Sequence, residues 1–198
     1  PDPNVSIFNF HYAAPPATGA DNYHLNRPLG DDETGFDGNE PEPYRLEGWD
    51  FILAGGAIYD NLDYSFTVGH EDGTAENNAP GDGGPVLRSQ LEILKEFIEG
   101  FRFIHMQPDS GIVGDTLPDW ITVRALREEQ KAYAIYINGD GLTTLDLQLP
   151  DGRYSVEWVN TNTGETAQSG SAESVQNSIR LSVPSYTTDI ALRLLREA

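Results

Sequence analysis

The feature that most constrains this chain is a change of pattern near residue 103. Before it, short apolar stretches alternate with amphipathic ones; after it, strand-like runs succeed one another with only turns between them. Strand–helix–strand–helix order is the grammar of a parallel sheet with crossover helices, whereas a run of strands and turns builds antiparallel sheets. Two kinds of architecture therefore share 198 residues, enough for two small domains. The pattern predicts an α/β unit over residues 1–103 and an all-β unit over 104–198.

Within the first part, residues 5–10 are β-branched and aromatic enough for a buried strand, which runs into His11-Tyr12 and a Pro-rich loop at 13–18. A short helix is predicted around 21–26, then a second strand over 28–33 that leads into a Gly/Asp-rich loop at 35–43. Leu46, Trp49, Ile52 and Leu53 fall on one helical face within 44–57, and Gly55-Gly56 close that helix. Residues 62–68 alternate apolar and small polar side chains, the pattern of a third strand. After a long loop over 69–84, Pro85 opens a helix with Val86, Leu87, Leu91, Leu94, Phe97, Ile98 and Phe101 as its apolar face.

The second part offers strands at 121–127, 132–138, 144–149, 154–160, 165–169, 178–183 and 190–195. Asn138-Gly139-Asp140-Gly141, Pro150-Asp151-Gly152 and Asn162-Thr163-Gly164 supply turns between them. Strands this short and this closely spaced predict a β-sandwich, with Trp120 and Trp158 expected in its core.

Acidic residues outnumber basic ones 32 to 12, a net charge of −20. Such a surface repels phosphate backbones and anionic headgroups, so neither nucleic acid nor membrane is expected as a partner. No apolar run approaches the roughly 20 residues of a spanning helix. The absence of cysteine excludes disulfides, thiolate nucleophiles and Cys-ligated zinc. No P-loop, dinucleotide fingerprint or Gly-x-Ser-x-Gly motif occurs, and no cofactor is expected. His70, Glu71, Asp72 and Asp82 offer ligands to a hard cation, but their spacing fits no ordered loop motif, and no metal is expected either. The chain enters its first strand without a methionine or a signal-like segment, so it is expected to be a piece of a longer chain. Its acidity suits export, and a secreted or periplasmic location is expected.

Polar residues gather at three predicted strand ends: His11-Tyr12, Asp31-Asp32-Glu33 and His70-Glu71-Asp72. Reactive groups of β/α barrels lie at such ends. The stretches Phe8-Asn9-Phe10-His11-Tyr12, Gly30-Asp31-Asp32-Glu33-Thr34-Gly35-Phe36, Trp49-Asp50-Phe51-Ile52-Leu53-Ala54-Gly55-Gly56 and Leu62-Asp63-Tyr64-Ser65-Phe66 resemble the last third of a catalytic barrel. The resemblance is to cellulase-like (family 5 type) retaining glycoside hydrolases of the large β/α-barrel clan. It implies strands six to eight of a partial (β/α)8 TIM barrel followed by an antiparallel β-sandwich.

The resemblance further implies that Glu33 is the nucleophile, that His11 and Tyr12 line the same sugar subsite, and that His70 and Glu71 stand at its edge. The substrate would be a poly- or oligosaccharide. Retention of configuration needs two carboxyl groups roughly 5–5.5 Å apart. The acid/base partner belongs on the fourth strand, so the missing N-terminal part of the same barrel is the implied partner, and the chain alone is expected to be inactive. Asn39-Glu40 imitates the pair that carries the acid/base in the family, but it lies in the wrong loop. The family pattern separates the His and the Tyr by one residue. Here they are adjacent, and adjacent strand residues face opposite ways, so one of them is expected to turn from the sugar. A different class of function is also open: a non-catalytic carbohydrate-binding or structural sandwich with a barrel remnant attached. Three strands cannot close a barrel, so the edge at 5–10 is expected to drive dimerisation or aggregation.

Overall fold

A computed structural model describes residues 2–13, 18–76, 83–114 and 117–197. The chain divides into two compact units, residues 1–95 and 96–198. In the first, β1 (Phe8–Phe10), β2 (Leu29–Asp31) and β3 (Ile58–Tyr59) form a parallel sheet in the order β1-β2-β3. Phe8, Asn9 and Phe10 pair with Leu29, Gly30 and Asp31, while Gly30 and Asp31 pair with Ile58 and Tyr59. The crossovers carry α1 (Thr18–Asn22) and α2 (Pro41–Leu53), and α3 (Gly84–Glu99) comes after β3.

The helix predicted at 44–57 begins earlier, because Pro41 sits in its first turn, where a missing N–H costs nothing. It buries Tyr44, Trp49, Phe51 and Leu53 completely. Glu40 occupies its N-cap position without a side-chain capping bond.

The strand predicted at 62–68 does not form; the third strand is Ile58–Tyr59. The alternation there has another cause. Asp63 Oδ1 accepts from the Ser65 amide at 3.0 Å, the Ser65 hydroxyl at 2.5 Å and the Gly84 amide at 2.9 Å. Its second oxygen pairs with Arg88 on α3, which also donates to the Gly73 carbonyl at 2.7 Å. Polar side chains engaged in this way stabilise a turn in place of a ladder.

In α3 the buried positions are Leu87, Gln90, Leu94, Phe97 and Ile98, a stripe at helical spacing. Val86, predicted to belong to that face, is 61% exposed, and Gln90 stands within the stripe. Among the described residues no helix is long and apolar enough to cross a membrane.

The second unit contains an antiparallel sheet in the order β4-β5-β6-β11-β8-β9 and a two-stranded sheet, β10-β7. The strands are β4 (Gln107–Pro108), β5 (Thr122–Glu128), β6 (Ala132–Asn138), β7 (Thr144–Leu147), β8 (Gly152–Val159), β9 (Thr166–Ser174), β10 (Ile179–Ser182) and β11 (Asp189–Arg196). Leu145, Leu147, Ile179 and Leu181 of the small sheet join Tyr133, Ile135, Trp158 and Leu192 of the large one in a single buried cluster. A buried Asp189 accepts from the Tyr136 hydroxyl at 3.1 Å and the Thr161 hydroxyl at 2.6 Å.

Each of the seven predicted strands appears. β9 runs well past the predicted 165–169 because its small polar residues lie on an exposed edge, where no apolar alternation is required. Trp120 departs from expectation: it is 68% exposed. It lies in the turn before β5, where the pleat does not direct side chains to the core.

Candidate functional site

The site is built where β1 and β2 end. Parallel neighbours finish side by side, and pairing continues past the strands: the Asp32 amide donates to the Phe10 carbonyl at 3.1 Å and the Tyr12 amide to the Glu33 carbonyl at 2.6 Å. His11 and Tyr12 are thereby laid against Asp32 and Glu33. Glu33 is 7% exposed. His11 Nε2 lies 3.6 Å from its Oε2, and the Tyr12 hydroxyl bonds the same carboxylate. That bond, with partial desolvation and the charge of Glu33, raises the pKa of the phenol above its ordinary value.

Both His11 and Tyr12 face the Glu33 carboxylate, which alternation along a regular strand would not allow. β1 stops at Phe10, and Tyr12 takes a left-handed conformation, φ 57°. A non-glycine residue in that region is unusual and is sustained by its surroundings. Here the turn brings the phenol back to the carboxylate that the imidazole already faces, with ring centroids 4.3 Å apart.

Two residues that carried no assigned role in the sequence complete the cluster. Asn9 Nδ2 donates to Asp32 Oδ2 at 2.5 Å, and His11 Nδ1 bonds Asp32 Oδ1 at 3.0 Å. The His11 bond is the chief cause that holds the Asp32 carboxyl below the usual carboxylate range. A Cβ at residue 30 would lie 2.4 Å from Asn9 Oδ1, so glycine there makes room for the amide to reach Asp32. The available signal was the pairing of Asn9 with a glycine across the ladder, but it needs the register, which sequence alone does not provide. Phe36, half exposed, extends the ring surface with its centroid 5.9 Å from that of Tyr12.

The segment after β2 is pinned from behind. The Thr34 hydroxyl donates to Glu47 on α2. The Asp37 amide donates to the Tyr44 hydroxyl at 2.8 Å, which donates in turn to the Gly38 carbonyl at 2.9 Å. Asp31 is different from its two successors: it is fully buried, and neither carboxyl oxygen has a well-formed hydrogen bond among the described residues. Burial, with the Glu47 charge nearby, pushes its pKa up to about 6, and the Glu33 amide offsets only part of that rise.

Among the described residues the hydrogen bonds of His70 and Glu71 do not involve this cluster. They lie in the turn-rich loop after β3, where the Gly69 amide donates to Glu71 Oε1 at 3.0 Å and His70 Nδ1 lies 3.4 Å from the Thr74 hydroxyl. Their hydrogen bonds among the described residues stay within that loop. The Gly69 bond is the main cause that lowers the Glu71 pKa. Among the described residues no group of three or more His, Asp or Glu is placed to hold a metal ion; Asp82 lies outside them.

A shielded carboxylate with a phenol donor on one side and an imidazole on the other can attack an electrophilic carbon or take up a proton. No protein-family model matches the chain, and no curated protein sequence does. Solved structures do. A protein described as a glycoside hydrolase aligns over 91% of this chain and 47% of its own, with a TM-score of 0.66 and 13% identity. A glycoside hydrolase family 5 protein from Bacteroides vulgatus aligns over 91% and 45%, with a TM-score of 0.62 and 15% identity. A family 30 subfamily 8 xylanase from Clostridium acetobutylicum aligns over 98% and 49%, with a TM-score of 0.57 and 12% identity. The chain spans about half the length of these structures, and what it shares with them is part of a glycoside hydrolase fold.

Proposed function

We propose that the chain is the C-terminal part of a retaining glycoside hydrolase. In this reading residues 1–103 are strands six to eight of a (β/α)8 barrel with their helices, and 104–198 form an appended β-sandwich. Glu33 is the nucleophile, and the Tyr12 hydroxyl and His11 hold its carboxylate toward the anomeric carbon of a poly- or oligosaccharide. The acid/base carboxyl comes from preceding chain that completes the barrel. His70 and Glu71 sit farther out, at the edge of the sugar site, and the acidic surface suits a secreted or periplasmic protein. No cofactor takes part.

The observation that carries the reading is the Glu33 carboxylate, nearly buried at a strand end, bonded by one aromatic residue and faced by another. The two halves of the mechanism rest on it. A carboxylate stripped of most of its water attacks readily, and a phenol that donates to it in the ground state can release one oxygen as the glycosyl bond forms. The test is hydrolysis of aryl glycosides by the chain extended upstream, with the anomeric configuration of the product monitored by NMR. The expected result is a retained anomer and a rate that falls by about 10³-fold or more in Glu33→Gln. An unchanged rate in that variant, or an inverted product, would remove Glu33 from the role.

A further inference from the structure

The roles assigned to Glu33, His11 and Tyr12 leave Asp32 unexplained, although it is the most heavily bonded group of the cluster. It accepts from Asn9 Nδ2 at 2.5 Å on one oxygen and meets His11 Nδ1 at 3.0 Å on the other. A carboxylate held below its ordinary range is ionised at neutral pH, and an ionised carboxylate only accepts hydrogen bonds. The proton between Asp32 and His11 therefore sits on Nδ1. That leaves Nε2 as the nitrogen 3.6 Å from Glu33 Oε2, too far for a hydrogen bond and near enough for each charge to act on the other. The groups around the imidazole are Asp32 and Glu33 after β2, the Tyr12 ring beside it and the charge of Asp31 at the end of β2, while Asn9 on β1 reaches it through Asp32. The glycine at 30, which admits the Asn9 amide, makes this arrangement a property of the two paired strands and not of one rotamer.

We infer that Asp32 is a positioning residue: by accepting the Nδ1 proton it holds the His11 imidazole with Nε2 turned to the Glu33 carboxylate, so that the exchangeable imidazole proton lies on the reacting side. When Nε2 carries a proton it can donate to a bound sugar oxygen; when it does not, its lone pair is free to accept from a sugar hydroxyl. The catalytic meaning of this arrangement rests on Glu33 as the nucleophile, but the arrangement itself does not. It is the recurrent carboxylate–imidazole pairing in which a partner on one ring nitrogen decides the chemistry of the other.

The test is spectroscopic and uses the whole 198-residue chain, with histidine labelled by ¹⁵N. Long-range ¹H–¹⁵N spectra are recorded at alkaline pH, where the imidazoles are neutral and a free side chain in water prefers the proton on Nε2. His11 is expected to show the opposite tautomer, protonated on Nδ1. In Asp32→Ala, which removes the acceptor, that tautomer is lost and the proton returns to Nε2. His24, whose Nδ1 lies 3.1 Å from the Asp21 carbonyl, is the internal control and stays unchanged. A wild-type His11 protonated on Nε2 overturns the inference without any variant. So does a folded Asp32→Ala protein in which His11 keeps its proton on Nδ1. Glu33→Gln, the variant that tests the nucleophile, leaves Nδ1 protonated, so failure of one reading is distinguishable from failure of the other.

Discussion

The two units of the chain hold their shapes by different means. In the second, β8 and β9 run for eight and nine residues, and β6 is paired on both sides along its whole length. In the first, the parallel strands are three, three and two residues long. The segments beyond those short strands are fixed by individual side chains: Thr34 on Glu47, Tyr44 on residues 37 and 38, Asp63 on Arg88 and Gly84. A long ladder over an apolar core tolerates little change in shape, while short strands leave their ends free to carry polar groups, strain and chemistry. The candidate site lies in the unit with the short strands, and a buried apolar cluster that joins two sheets lies in the other.

Substitutions in each unit test this difference. The largest expected effect is in the second unit, where Trp158 on β8 is completely buried within the cluster. Trp158→Ala is expected to cost about 3–5 kcal/mol in urea unfolding, the range for deletion of a large aromatic side chain from a core. A loss below about 1 kcal/mol would mean that the cluster is not close-packed.

Next comes Asp31, the buried carboxyl in the first unit that lacks a well-formed hydrogen bond. Its folded pKa of about 6 lies above its ordinary 3.8. Below about pH 4 the group is protonated in both states and its contribution to stability is fully present. As pH rises, the unfolded chain ionises first, and stability is lost until the folded group ionises near pH 6. The loss amounts to about 3 kcal/mol. Asp31→Asn cannot ionise, so its stability relative to wild type is expected to improve by about that amount from pH 4 to pH 7. A gap that stays constant across that window would show that Asp31 is solvated after all.

The smallest effect is expected at Thr34. Thr34→Val removes the hydroxyl that donates to Glu47 and is expected to cost about 1–2 kcal/mol. It should also shift the backbone NMR signals of Glu33 and Phe36 more than those of β1. If those signals stay in place, the Tyr44 bonds alone hold the segment after β2.

Much of the second unit was legible because β7 and β10 alternate in burial, β6 is a continuous apolar run, and turn residues separate the strands. β6 falls at the predicted 132–138, and the turn residues around Gly139 and Gly152 mark the end of β6 and the start of β8. α3 was legible from the helical spacing of its apolar residues, although Val86 is exposed and Gln90 is buried within the stripe. The first unit was readable in order but not in detail. Residues 62–68 carry the alternation of a strand, yet Asp63 and Ser65 are oriented by Gly84 and Arg88, which lie about 20 residues further on.

The candidate site divides along the same line. The residue types at 11, 12 and 33, and their position past two strands, were determined by the sequence itself, because strand order and polar ends are local properties. Tertiary structure alone decided that His11 and Tyr12 converge, that Asn9 and Asp32 join them, and that His70 and Glu71 keep to their own loop. The sense of a turn depends on what it packs against, and the left-handed Tyr12, φ 57°, is held by Glu33 just past the neighbouring strand, which supplies both the carbonyl and the carboxylate it bonds.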